Sequence, residues 1–221
     1  MIHCTVAHLS DTTSFGSDWD APPWHDHPTQ RLLHHMGPRP QHFPETEFKI
    51  AHDPEAISLI FRVKDRYVRA VATRHGDPVY QDSCVEFFFT PGPDPSMGYF
   101  NLEMNCGGSM LFHFQPKPRE NQIDLSVIEG KNILISHTLP TIVNPELSAP
   151  LTWSVAYRIP FAVLARYCPV TLPAPNVIWR GNFHKCADLS SHPHWLTWAP
   201  INSPKPNFHL PQFFGQLNFV F

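Results

Sequence analysis

At 221 residues the chain has the size of one large domain, and all-β sandwiches often run this long undivided. A formal charge of −3 leaves no basic face for counterion release, which argues against a nucleic-acid partner. No apolar run of about 18 residues is present to cross a membrane as a helix. With 25 Pro against 10 Gly, the composition favours many short strands joined by stiff loops, and 42% hydrophobic residues suffice for a sizeable core.

The opening stretch, residues 1–10, has neither a charged n-region nor an apolar h-region, so no signal peptide is read in it. The compartment stays open: cytoplasmic as the sequence stands, extracellular or periplasmic had a leader preceded it. Residues 1–44 read as an irregular arm packed on the domain, its prolines forbidding a long helix, with Trp19, Trp24 and Phe43 as plugs. Residues 45–221 read as the domain proper. Strands are expected over 46–51, 56–63 and 67–73, with Lys64-Asp65-Arg66 as a turn. In the second of these, Ile57, Leu59 and Phe61 alternate with Ser58, Ile60 and Arg62, as in a strand buried on both faces.

The centre of the chain, Asp77 to Gly108, reads as two strands joined by the Pro91–Pro95 loop. Successive side chains of a strand point to opposite faces. Val85, Phe87 and Phe89 therefore share one face, with Cys84, Glu86 and Phe88 on the other. In the second strand Phe100, Leu102, Met104 and Cys106 form a core face, and Tyr99, Asn101, Glu103 and Asn105 lie opposite. Paired, the two strands make one apolar face and one bearing carboxylates, amides and aromatic rings. Met110–Gln115 continues the meander, with Leu111, His113 and Gln115 on one side. Residues 116–132 read as a long loop or lid. Further strands are expected over 133–138, 151–159, 177–186 and 215–221, with one short helix opened by Pro160-Phe161. No βαβ rhythm or repeat is visible, so the expected architecture is all-β, an antiparallel β-sandwich.

Five cysteines (Cys4, Cys84, Cys106, Cys168, Cys186) without a C-x-x-C read as reduced core residues. Fifteen histidines place possible metal ligands close together at His25-Asp26-His27, His34-His35, His184-Lys185-Cys186 and His192-Pro193-His194. The paired spacings usual for zinc are missing, and no metal site is assigned. Asp18, Asp20 and Asp26 are oxygen donors of the kind calcium takes, without the fixed pattern of an EF-hand loop. No cofactor is therefore expected, with calcium the one ion left open. Glu86 and Glu103 on facing strands have the chemistry of a glycosidase pair, or equally of hydrogen-bonding groups for a ligand or for Arg180. Aromatic platforms are the stronger signal: Tyr80 before the central strand, and Trp195, Trp198, Phe208 and His209 in the C-terminal loops. Such rings stack on the C–H faces of sugars while polar groups hold the hydroxyls.

The run Asp77 to Phe88, above all Asp82-Ser83-Cys84-Val85-Glu86-Phe87, resembles the family 9 carbohydrate-binding modules, in particular the family-9-like group of bacterial proteins. Phe61–Val68, Tyr99–Asn105 with Gly107, Trp179–Cys186, His194–Trp198, Phe208–Pro211 and Phe214–Leu217 are similar as well, so the resemblance spans roughly 46–221. It implies a β-sandwich of jelly-roll or immunoglobulin-like outline that binds sugar between two aromatic rings, beside a glutamate. Carried over, the first ring falls at Tyr80, where those modules have Trp, and the glutamate at Glu86. The second ring belongs in the C-terminal loops, where Trp198, Phe208 and His209 compete. Glu103 stands where those modules use Arg. Such modules usually accompany a catalytic domain serving polysaccharide breakdown.

The expected function is thus non-catalytic binding of a mono- or oligosaccharide by a monomer. The expected site is Tyr80, Glu86, Glu103, Asn105, Arg180, Trp198, Phe208 and His209. The alternatives are a glycoside-processing enzyme using the Glu pair, a haem or metal module, and a protein-interaction sandwich.

Overall fold

The computed structural model describes residues 2–9 and 14–221. Its strands are β1 (His3–His8), β2 (Gln30–Arg31), β3 (His34–His35), β4 (Glu45–His52), β5 (Ala56–Asp65), β6 (Val68–Ala70), β7 (Cys84–Thr90) and β8 (Tyr99–Asn105). They continue with β9 (Met110–Gln115), β10 (Ile123–Asp124), β11 (Leu134–His137), β12 (Val143–Leu147), β13 (Leu151–Pro160), β14 (Ile178–Cys186), β15 (Trp195–Thr197) and β16 (Gly215–Phe219). Two short helices interrupt them, α1 (Ser126–Gly130) and α2 (Phe161–Leu164).

One hydrogen-bonded path runs β10-β9-β8-β7-β14-β16-β1-β4-β5-β13-β11, and it curls so that its two halves face each other as an all-β sandwich. Alternation decides what lies between them. Val85, Phe87 and Phe89 of β7 and Phe100, Leu102 and Met104 of β8 are fully buried against Phe48, Leu59, Phe61 and Val63 of β4 and β5. Phe183 of β14 stacks on Phe48 at 3.7 Å and on Phe87 at 4.8 Å, joining the halves ring to ring.

The N-terminal stretch is not irregular throughout. β1 joins the two halves, bonding β16 through His3–Val6 and β4 through Ala7 and His8, with Cys4 and Val6 buried. Both its ladders are parallel, whereas the remaining described ladders are antiparallel. Its partners are distant in sequence, so no local hairpin signal announces it. Trp19 and Trp24 are buried, as plugs must be; the Trp24 indole N–H donates to the Gly16 carbonyl at 2.8 Å. The segment 116–132 is only partly a loop. It contains β10 and α1, and Leu125 between them is buried in the core. All five cysteines are free, with Cys168 alone not fully buried.

Candidate functional site

Register assembles the site on the face of β14, β7, β8 and β9 turned away from the core. His184, Glu86, Glu103 and Leu111 form one cross-strand row, and Asn182, Phe88, Asn101 and His113 form the next. Over these rows opens a cleft of about 540 Å³. Pro78 and Tyr80 wall it ahead of β7, Asp188 and Trp195 beyond β14, Arg119 and Gln122 from the β9–β10 connection, and Pro206–His209 from the loop before β16.

Tyr80 stands at the rim, 37% exposed, on a short helical turn whose carbonyl accepts from the Asp188 amide at 3.1 Å. Glu86 and Glu103, directly opposite each other, lie at the floor with almost no exposure. One oxygen of Glu86 accepts from the Cys186 thiol at 3.1 Å, and the other, Oε2, has no partner. Glu103 accepts from Asn101 Nδ2 at 3.0 Å. Burial raises both carboxyls: Glu103 reaches about 8 despite the Asn101 bond, and Glu86 rises well above its ordinary range, pushed further by Cys186 and Glu103. The floor therefore holds protonated carboxyl at neutral pH, able to donate as well as accept. Phe208 stacks on His184 at 4.0 Å, and His209 Nδ1 lies 2.8 Å from the Tyr99 hydroxyl. Burial, helped by Arg119, lowers His209 to about 3, so its ring is neutral.

Three of the expected residues do not line the cleft. Asn105 is spent on structure: Nδ2 donates to the Ala72 carbonyl and to Asp82, and Oδ1 accepts from the Gly107 and Ser109 amides. Arg180 donates to the carbonyls of Gly215 and Phe214, away from Glu86 and Glu103. Trp198 is buried on the core side, edge-on to Phe183 at 5.5 Å and Phe48 at 6.1 Å. The ring on the cleft is Trp195, whose indole N–H donates to Asp188 at 2.8 Å. An odd spacing of three residues in extended chain sends two side chains to opposite faces, and that spacing separates Trp195 from Trp198. Asp188 and Arg119 come from loops, where no periodicity marks them. Of the acids of the N-terminal arm, Asp26 pairs with His25 at 2.8 Å, Asp20 lies 3.8 Å from Arg62, and Asp18 accepts from the Asp20 amide at 3.1 Å.

The model of the family described as "Carbohydrate-binding family 9" matches residues 30–219. A crystal structure from Bacteroides uniformis, of a protein named as a candidate carbohydrate-binding protein, superposes with a TM-score of 0.87 at 30% identity, covering 99% of both chains. A family 9 module from Caldicellulosiruptor kristjanssonii in complex with glucose superposes at 0.67 with 14% identity, over 99% of this chain and 96% of that one. At that identity the likeness speaks for the fold. A protein of Arthroderma benhamiae named "Extracellular protein" is 24% identical over 185 residues, 80% of each chain.

Proposed function

The chain belongs to carbohydrate-binding family 9, and from that membership we propose that it binds a mono- or oligosaccharide, without chemistry, in the cleft over Glu86 and Glu103. The observation that carries the reading is Glu86 itself: a buried carboxyl on a cleft floor with one oxygen unpartnered, beneath a rim that exposes Tyr80. A sugar hydroxyl supplies the missing partner. Tyr80 and Trp195 offer ring faces to the sugar's C–H groups, and Glu103, Asp188 and Arg119 offer hydrogen bonds around its edge. Related modules are solved with glucose and with cellotriose, which makes gluco-configured sugars the first probes. Retention of a polysaccharide chain beside a degrading enzyme is the role such binding would serve.

Calorimetry with glucose, cellotriose and a wider glycan set tests this. Saturable binding that Glu86→Gln weakens more than the loss of any single aromatic ring supports it. Equal binding by the folded Glu86→Gln variant removes Glu86 from the site, and silence across the glycan set defeats the reading.

One observation favours a second reading. Glu86 and Glu103 share a face and a register position, as a hydrolytic pair requires. Turnover of aryl glycosides that disappears in both Gln variants would put hydrolysis in place of simple binding. Both carboxyls sit deep in the floor, and we expect no turnover.

A further inference from the structure

We infer that Cys84, Cys186 and Glu86 form a binding site for a zinc-class divalent cation at the base of the cleft. The inference does not rest on sugar binding; the two share Glu86, whose bare oxygen takes either the ion or a sugar hydroxyl. Cys84 and Cys186 are direct partners across β7 and β14, and Glu86 follows Cys84 by two residues, so all three side chains leave the sheet on one face. The two Sγ atoms and a carboxylate oxygen lie within 4.8 Å of one another. A tetrahedral zinc with Zn–S of about 2.3 Å sets neighbouring sulfur ligands roughly 3.8 Å apart, so small side-chain adjustments on two bonded strands bring the three donors into one shell.

A further observation points to a missing cation. Glu86 Oε2, an oxygen of the clustered carboxyl, is buried without a partner, and a buried polar atom left unpaired is costly. The donor set selects the metal: two sulfurs with a carboxylate suit zinc, cadmium or cobalt, not calcium or magnesium. Glu86 and Cys186 also line the cleft, which gives the ion an entry path. Binding displaces the protons of both thiols and of the Glu86 carboxyl, so it strengthens as pH rises.

The test titrates the reduced, metal-free full chain with cobalt(II). We expect one equivalent to bind, with thiolate-to-cobalt charge-transfer absorption and the intense visible bands of tetrahedral cobalt, both abolished by zinc. Cys84→Ser and Cys186→Ser should each cut the charge-transfer band, and Glu86→Gln should weaken binding by at least about tenfold. Cys168→Ser, at a partly exposed thiol outside the group, should change nothing. If the serine variants do not fold, cadmium NMR of the unaltered chain decides. A two-thiolate shift supports the site, and an oxygen-and-nitrogen shift overturns it. A reduced, folded chain without a charge-transfer band overturns it too, as does a band that survives in a folded Cys84→Ser/Cys186→Ser chain.

Discussion

Glu86 and Glu103 face each other across β7 and β8 with almost no access to water, yet they differ in what holds them. Glu103 has the Asn101 amide, while Glu86 has one thiol and one bare oxygen. Stability should follow the proton on Glu103. Its folded pKa of about 8 lies above the ordinary 4.5, so the folded chain keeps a proton that the unfolded chain loses between those values. The associated stability is complete below the unfolded pKa and is lost as pH rises through the folded one. Glu103→Gln removes that titration. Its urea midpoint should match the parent near pH 4 and exceed it at pH 8, by on the order of 1–4 kcal/mol in stability; an equal difference at both pH values would place the raised pKa elsewhere. Tyr80 is the opposite case. It is 37% exposed, and the role proposed for it rests on its ring, so Tyr80→Ala should cost about 0.5–1.5 kcal/mol of sugar affinity. Its melting temperature should stay near the parent's, within about 0.5 kcal/mol of stability; a folded variant that binds as well as the parent would remove the ring from the site.

At the scale of elements, the central hairpin is legible in the sequence alone. Alternation puts Glu86 and Phe88 on one side of β7, Glu103 on one side of β8, and Leu111, His113 and Gln115 on one side of β9; the register joins these sides, and the cleft opens on them. What periodicity cannot supply is the identity of neighbours brought in from far along the chain. Trp198 and Trp195 are the same residue type three positions apart, and only the pairing of β15 with β14, which sets Trp195 opposite Cys186, shows which ring reaches the cleft. Asn105 and Arg180 carry polar groups that suit a ligand equally well, but the backbone nearby needs them first. β1 was hidden for a different reason. Its strand is short, its outward positions are His, Thr and Ala, and neither of its partners is joined to it by a hairpin. It is nonetheless the link between the two halves of the sheet. Val6 is fully buried there, and Val6→Ala should cost about 1–3 kcal/mol by chemical denaturation. A loss comparable to that of an exposed alanine substitution would mean that β1 is dispensable to the sandwich.

Across the whole molecule, one polar cluster ties the halves that the aromatic core also joins. Lys185 of β14 is fully buried, with Nζ 3.5 Å from Asp65 of β5 and 2.8 Å from His194 Nε2. Asp65 accepts as well from the Trp153 indole at 3.2 Å and the Arg66 amide at 2.8 Å, and lies 2.7 Å from His42. Burial together with Lys185 holds His194 at about 3, so it is a neutral acceptor for the ammonium. Desolvation alone would raise the Asp65 carboxyl, but Lys185 and His42 outweigh it and hold it below its ordinary 3.8. A carboxyl depressed in this way stabilises fully above its unfolded pKa, and that stability is lost as pH falls through the folded one. Asp65→Asn leaves a buried ammonium without its counter-charge. Breaking such a pair from one side costs about 3–5 kcal/mol, a large fraction of the 5–15 kcal/mol that a folded domain typically has. The expected outcome is a single cooperative transition shifted to much lower denaturant, because the cluster spans both halves and neither keeps its face covered once the other opens. Below about pH 4 the gap to the parent should narrow, since the unfolded parent's carboxyl begins to take up its proton there while the folded one does not. A gap that stays constant down to pH 2 would show that the cost comes from packing around residue 65 and not from the charge it carries.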